Sequence, residues 1–166
     1  MTDHPREPVP DDFEPMPEGL GFIDSFKPLY RRYRNGTVDF GLQVGPQHCN
    51  SLGICHGGVI MTLADIAAAS GATLASERRA AAPTVNISLD FIAAGKLGQW
   101  LQSELEGVSV RKNFGFAHGL IRNGERVIAR YNGTFYFARH SGVGERGDFL
   151  PGMWRGLDLD SPEGSG

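Results

Sequence analysis

Cysteine is almost absent from this chain: Cys49 and Cys55 are the only two among 166 residues, too few for the disulfide framework of a small secreted protein. Nor does charge of one sign prevail. Sixteen Lys and Arg stand against nineteen Asp and Glu, a formal net charge of −3 with a pI of about 5.9. No basic field therefore invites nucleic acid, and an anionic ligand has to be met by a local cluster of Arg and Lys. Residues 1–10 lack a basic start followed by an apolar run, so no secretory signal is expected. The longest apolar stretch, Val59 to Leu74, is interrupted by Asp65 and reads as too short and too polar for a membrane span. There is no G-x-S-x-G elbow, no G-x-x-x-x-G-K-[ST] phosphate loop and no internal repeat. What remains is a cytoplasmic protein without nucleic-acid or membrane partners, expected to work without a cofactor.

What is present suits one domain with a real core. At 166 residues, 40% hydrophobic and 21% charged, the chain is large enough for a single core and too small for two. Half of its ten prolines precede Glu18, among acidic residues, which predicts a flexible tail over residues 1–18. A domain is expected over 19–139, and a Gly- and Asp-rich extension over 140–166. The extension still contains Phe149, Leu150, Met153, Trp154 and Leu157, enough apolar content for part of it to pack.

Within the domain the patterns are mostly β. Leu29 to Arg34 and Val38 to Val44 flank Asn35-Gly36, a pair suited to the positive φ of a type I′ hairpin turn. From Gly58 to about Ser76 the chain is helix-compatible, with apolar residues on every side, as in a helix buried all round. After Pro83 alternation returns: Val85, Ile87, Leu89 and Phe91 face one way, Thr84, Asn86, Ser88 and Asp90 the other. Trp100 to Val110 is a weaker strand, and Phe114 to Arg122 and Val127 to Ala138 flank a second hairpin signal, Asn123-Gly124. Two strands, one helix and four strands predict an α+β fold of about six antiparallel strands wrapped around one long central helix.

The chemistry concentrates between His48 and Asp65. Asp65 lies mid-helix among Leu63, Ala64, Ile66 and Ala67, where an unpaired carboxylate costs several kcal/mol to bury. It is either a structural Asp bonded to backbone or Arg, or a carboxylate held in a dry cleft as base or nucleophile. Gly57-Gly58, at the entry to the helix, either allows a tight turn or exposes N–H groups that can bind a developing oxyanion. His56 beside the turn and Asn50 before it can each be purely structural. Together with Asp65 they also supply a donor, a water-positioning amide and a carboxylate. The mirrored pairs His48-Cys49 and Cys55-His56 raise a metal site, but adjacent residues seldom point the same way and the spacing fits no common zinc pattern, so none is expected.

His56-Gly57-Gly58, a helix carrying Asp65, and a preceding Asn50 resemble the hotdog-fold acyl-CoA thioesterases of the PaaI, or phenylacetate-pathway, type. Asn35-Gly36, the run Thr84 to Phe91 and Ala94-Gly95-Lys96-Leu97-Gly98 fit the same layout, over about Gly19 to Ala138. The resemblance implies a helix wrapped by a curved antiparallel sheet, assembled as a homodimer or homotetramer. It implies hydrolysis of a small aryl- or medium-chain acyl-CoA, with Asp65 as base or nucleophile, the Gly57 N–H on the thioester carbonyl, His56 supporting that end, Asn50 orienting water or the leaving sulfur, and Thr84 near the carboxylate. Gly58, in the same turn, is expected to bind substrate; Met61 and Leu63 are candidates for the acyl pocket. Arg111 and Lys112 can either meet CoA phosphates or simply form a solvated hairpin tip. Two other readings remain: a hotdog hydratase or dehydratase, and an acyl-CoA-binding module without turnover. Spacing bears on the assembly independently. Gly57 and Asp65 are eight residues apart, about 12 Å along a helix, too far to serve one carbon within roughly 3–3.5 Å. Two helices crossing antiparallel at a two-fold axis avoid that difficulty.

Overall fold

The computed structural model describes residues 5–76, 82–137 and 152–159. One helix, α1 (Gly57–Ala75), packs against a single antiparallel sheet of β1 (Glu14–Pro15), β2 (Leu29–Arg34), β3 (Thr37–Gln43), β4 (Thr84–Phe91), β5 (Trp100–Arg111), β6 (Phe114–Asn123) and β7 (Arg126–Tyr136). The spatial order is β1-β2-β3-β5-β6-β7-β4. The chain thus lays three strands, passes the helix across the sheet, and returns to place β4 at the far edge. The α+β expectation holds. Among the described residues the sheet has seven strands where about six were expected, the acidic opening contributing β1.

That opening segment is also where the expected tail gives way to packing. Phe13 and Met16 are buried, Phe13 meets Trp100 edge to face at 5.0 Å, and the Arg32 guanidinium lies 4.4 Å from the Phe13 ring centre. The Glu7 carboxylate accepts from the Trp100 backbone N–H at 2.8 Å and from Asn123 Nδ2 at 2.6 Å. Prolines supply no N–H and hold φ near the extended region. The segment can therefore lie along the sheet as a strap, anchored at a few side chains and with few backbone donors to satisfy.

The β2–β3 hairpin turns where the sequence places it, with Asn35 at φ 52° and Gly36 at φ 73°. The β6–β7 turn is displaced by one residue. Asn123 pairs with Arg126 in the ladder, leaving Gly124, at φ 53°, and Glu125 to make the turn.

At the other end, Trp154 is fully buried and its indole N–H donates to Ser70 Oγ on α1 at 3.2 Å. The buried Arg31 donates to the Met153 carbonyl at 2.7 Å and pairs with Glu14 at 2.7 Å. Residues 152–159 of the expected extension are therefore anchored on the core through Trp154, with Met153, Leu157 and Leu159 packed partly buried against it and Arg155, Gly156 and Asp158 exposed, while Phe149 and Leu150 lie outside the described residues. Trp154→Ala is expected to destabilise the fold by about 3–5 kcal/mol, measured by urea unfolding, because it leaves a large cavity and an unpaired Ser70 hydroxyl. An unchanged midpoint would show that the segment is not held on the core.

Helix α1 is long and apolar enough to cross a membrane by length and composition alone, against the sequence expectation, but most of it is buried by the sheet. It is not buried all round. Met61 and Gly58 are exposed, and Thr62, Asp65 and Ala69 half-buried. At positions 58, 61, 62, 65 and 69 these residues follow the helical period and form one open stripe. Alanines at 64, 67, 68 and 69 hide that stripe from a hydropathy reading.

Candidate active site

The open stripe of α1 carries the carboxylate. Asp65 accepts a hydrogen bond from Thr84 Oγ1 at 2.7 Å. Thr84 reaches it through a local irregularity: the β4–β7 register shifts between Thr84 and Asn86, so Val85 is a bulge residue. Bulges re-aim side chains and occur beside functional sites. Here the bulge leaves Val85 exposed, rather than in line with half-buried Ile87 and Leu89 as strict alternation predicts. Burial holds the Asp65 carboxyl above the ordinary Asp range, and the Thr84 hydroxyl acts in the opposite direction. No Arg or Lys pairs with Asp65 among the described residues. A salt-linked structural role is thus absent there, and a basic carboxylate faces an open stripe.

The N-terminus of α1 is built by His56. Its backbone is extended, at φ −63° and ψ 137°, and its Nδ1 accepts from the Gly58 N–H at 2.9 Å. A neutral ring in this arrangement carries its proton on Nε2. The sequence reading left both glycine N–H groups available; His56 occupies that of Gly58. The Gly57 N–H has no hydrogen-bond acceptor among the described residues. It sits in the first turn, where the helix dipole favours negative charge. A Cβ on Gly57 would lie 3.2 Å from the Phe91 ring, so that aromatic side chain flanks the free N–H. Phe91 escapes a sequence reading of the site: alternation places it on the strand face but gives no sign that β4 brings its ring beside the helix start.

In this chain Asn50 makes the turn that one of its two readings describes. Its Oδ1 accepts from the Leu52 N–H at 2.9 Å and from the Ile54 N–H at 3.4 Å, closing the loop before α1 as an Asx turn. His48 holds the base of the same loop. It is buried, accepts from the Gly45 N–H at 2.9 Å through Nδ1 and reaches the Phe26 carbonyl at 3.0 Å through Nε2. Burial lowers its pKa, so it stays neutral. Among the described residues no cluster of three or more His, Cys, Asp or Glu is placed to hold a metal.

The remaining candidates divide. Met61 lies on the open stripe, 37% exposed, whereas Leu63 is 1% exposed in the core and does not share that face. Arg111 and Lys112 form the exposed tip of the β5–β6 hairpin, with Lys112 at φ 54°. The adjoining Gly115 lies against Ala72, fifteen residues along α1 from Gly57. Within one chain this basic pair is therefore at the opposite end of the helix from the oxyanion candidate.

Residues 52–129 match the model of the family described as the thioesterase superfamily. A protein of Pseudomonas aeruginosa named "Putative esterase" is 28% identical over 129 residues, 77% of this chain and 96% of that protein. The phenylacetic acid degradation protein PaaI of Thermus thermophilus, solved as a point mutant, has a TM-score of 0.62 at 19% identity, covering 70% of this chain and 98% of that one. A hypothetical thioesterase of Streptococcus pneumoniae, solved with coenzyme A, has a TM-score of 0.61 at 22% identity, covering 81% and 98%.

Proposed function

We propose that this thioester hydrolase, of the thioesterase-superfamily hotdog fold, acts on an acyl-CoA, with each active site completed by two copies of the chain. The observation that carries the reading is a half-buried carboxylate with no cationic partner, and a helix N-terminal N–H with no acceptor, among the described residues; both are on one helix, too far apart to meet one carbon. A two-fold axis crossing the open stripe brings Asp65 of one copy towards Gly57 of the other. Burying the stripe also covers Met61 and the exposed apolar side chains Val85, Phe91 and Ile92 on and beside β4, an edge strand that solvent-exposed monomers usually protect.

In this reading the thioester oxygen binds the Gly57 N–H, which stabilises the charge that develops on it. Asp65 either attacks the carbonyl carbon or takes a proton from the attacking water. Thr84 orients the carboxylate. His56 fixes the helix start and leaves its Nε2–H as a donor, while Asn50 shapes the loop. In an antiparallel pair the Ala72 end of one helix approaches the partner's loop before α1, and this puts Arg111 and Lys112 near the mouth of the shared site, where CoA phosphates need cations. The solved relative with coenzyme A supports the substrate class. A hydratase reading lacks an added acid–base partner for Asp65 among the described residues.

A panel of acyl-CoA thioesters, read by release of free thiol, is expected to show turnover with aryl- or medium-chain substrates. Absence of thiol release across the panel would overturn the reading. Thr84→Val tests the site itself. Loss of the hydroxyl raises the carboxyl pKa further, so the acid limb of the kcat/KM profile should move to higher pH. An unmoved limb would mean that Asp65 does not set it.

A further inference from the structure

The loop entering α1 is closed by its two cysteines. Cys49 and Cys55 face each other across an antiparallel bridge. The flanking hydrogen bonds run from the Asn50 N–H to the Ile54 carbonyl at 2.9 Å and from the His56 N–H to the His48 carbonyl at 2.8 Å. Bonds on both sides of the pair, and none between Cys49 and Cys55 themselves, define a non-hydrogen-bonded position, where Cα atoms approach to about 4.5 Å and the side chains are closest. A disulfide needs Cα atoms roughly 4.4–6.8 Å apart, so the backbone already meets that requirement. Both thiols are free, and no metal cluster claims them among the described residues.

We infer that Cys49 and Cys55 are an oxidation site that closes reversibly into a disulfide, pinning the loop between Asn50 and the His56 cap. The inference is independent of the hydrolytic reaction. Accessibility sets the order of events. Cys49 is half-buried and Cys55 only 4% exposed, so an external oxidant meets Cys49 first and Cys55 resolves the adduct. With a diazene oxidant such as diamide, the Cys49 thiolate adds to one nitrogen of the N=N bond. The Cys55 thiolate then attacks Cys49 Sγ and breaks the S–N bond. Two electrons pass from the sulfurs to the diazene, and the two thiol protons end on the nitrogens of the hydrazine.

Burial pushes the Cys55 thiol up to about 12 and raises Cys49 as well. The thiolate is the reacting form, so closure is expected to accelerate as pH rises from neutral into the alkaline range. The pair then behaves as a slow, selective site rather than an indiscriminately reactive thiol.

The test uses the full chain, in which these are the only two cysteines. After diamide and then maleimide under denaturing conditions, the wild type should be lighter than the reduced protein by two hydrogens and take no maleimide. The reduced protein should take two. Peptide mapping should join Cys49 to Cys55. The thermal midpoint should rise on oxidation and return with dithiothreitol, whereas Cys49→Ser and Cys55→Ser should show no reversible rise. Two maleimides on the diamide-treated wild type, a covalent dimer on a non-reducing gel, or a disulfide that leaves the midpoint unmoved would each overturn the inference.

Discussion

Asp65→Asn is expected to lower kcat by about 10²–10⁴-fold, the range lost with a general base, while making the folded protein more stable at neutral pH. The two effects share one cause. Asn preserves the shape of the side chain and an oxygen able to accept from Thr84 Oγ1, now 2.7 Å from Asp65, but it cannot ionise. The wild-type carboxyl has its pKa raised by burial above the ordinary 3.8, partly opposed by the Thr84 bond. A group whose folded-state pKa is raised contributes stability that is present below its unfolded pKa and lost as pH climbs through the folded value. The wild type therefore bears an increasing penalty above about pH 3.8, which the amide avoids. The difference in thermal midpoint between Asp65→Asn and wild type should be near zero in acid and favour the variant as pH rises to neutrality. Thiol release and a set of unfolding curves measure both halves. Retained turnover would remove Asp65 from the chemistry. An advantage for Asn that shrinks with rising pH would mean the charged carboxylate is stabilised by the fold, and the cleft is not the dry site proposed.

Asp65 stands out in the sequence because a carboxylate in an apolar helix is costly wherever it faces. Which way it faces does not. Alanines at 64, 67, 68 and 69 carry too little hydrophobic contrast to mark an outer side, so the helix reads as enclosed although Gly58, Met61, Thr62, Asp65 and Ala69 form an open stripe. The β2–β3 hairpin was recoverable because Asn35-Gly36 meets a local conformational demand. The opening strap was hidden for the opposite reason. Phe13 and Met16 are single apolar residues among prolines and acids, and their partners, Trp100 and Arg32 for Phe13, lie far along the chain. Non-local packing leaves no period in the sequence. The His56 cap falls between these cases. Its position before Gly57-Gly58 was visible, but His is not among the usual capping residues, and only coordinates show Nδ1 accepting from Gly58.

Gly57→Pro is expected to abolish turnover while leaving the helix in place, and the activity should return in a mixed dimer. Proline is favoured at the first helical position, where its missing N–H breaks no intrahelical bond. The residue before a proline must be extended, and His56 already is, at ψ 137°. The added ring comes near Phe91, with the Cβ at 3.2 Å, but Phe91 is 52% exposed and has room to shift. The substitution therefore deletes the donor proposed to hold the oxyanion, for a loss of about 10²–10³ in kcat. When Gly57→Pro and Asp65→Asn chains are assembled into heterodimers, the outcome depends on where each site draws its groups. If Asp65 works with the partner's glycine, one site receives both altered residues and the other receives neither, so a purified heterodimer should recover about half the wild-type rate. If each site draws both groups from one chain, every site carries a lesion and nothing returns. Folded heterodimers, verified by circular dichroism and by mass, that stay at the level of the parents would rule out the shared site.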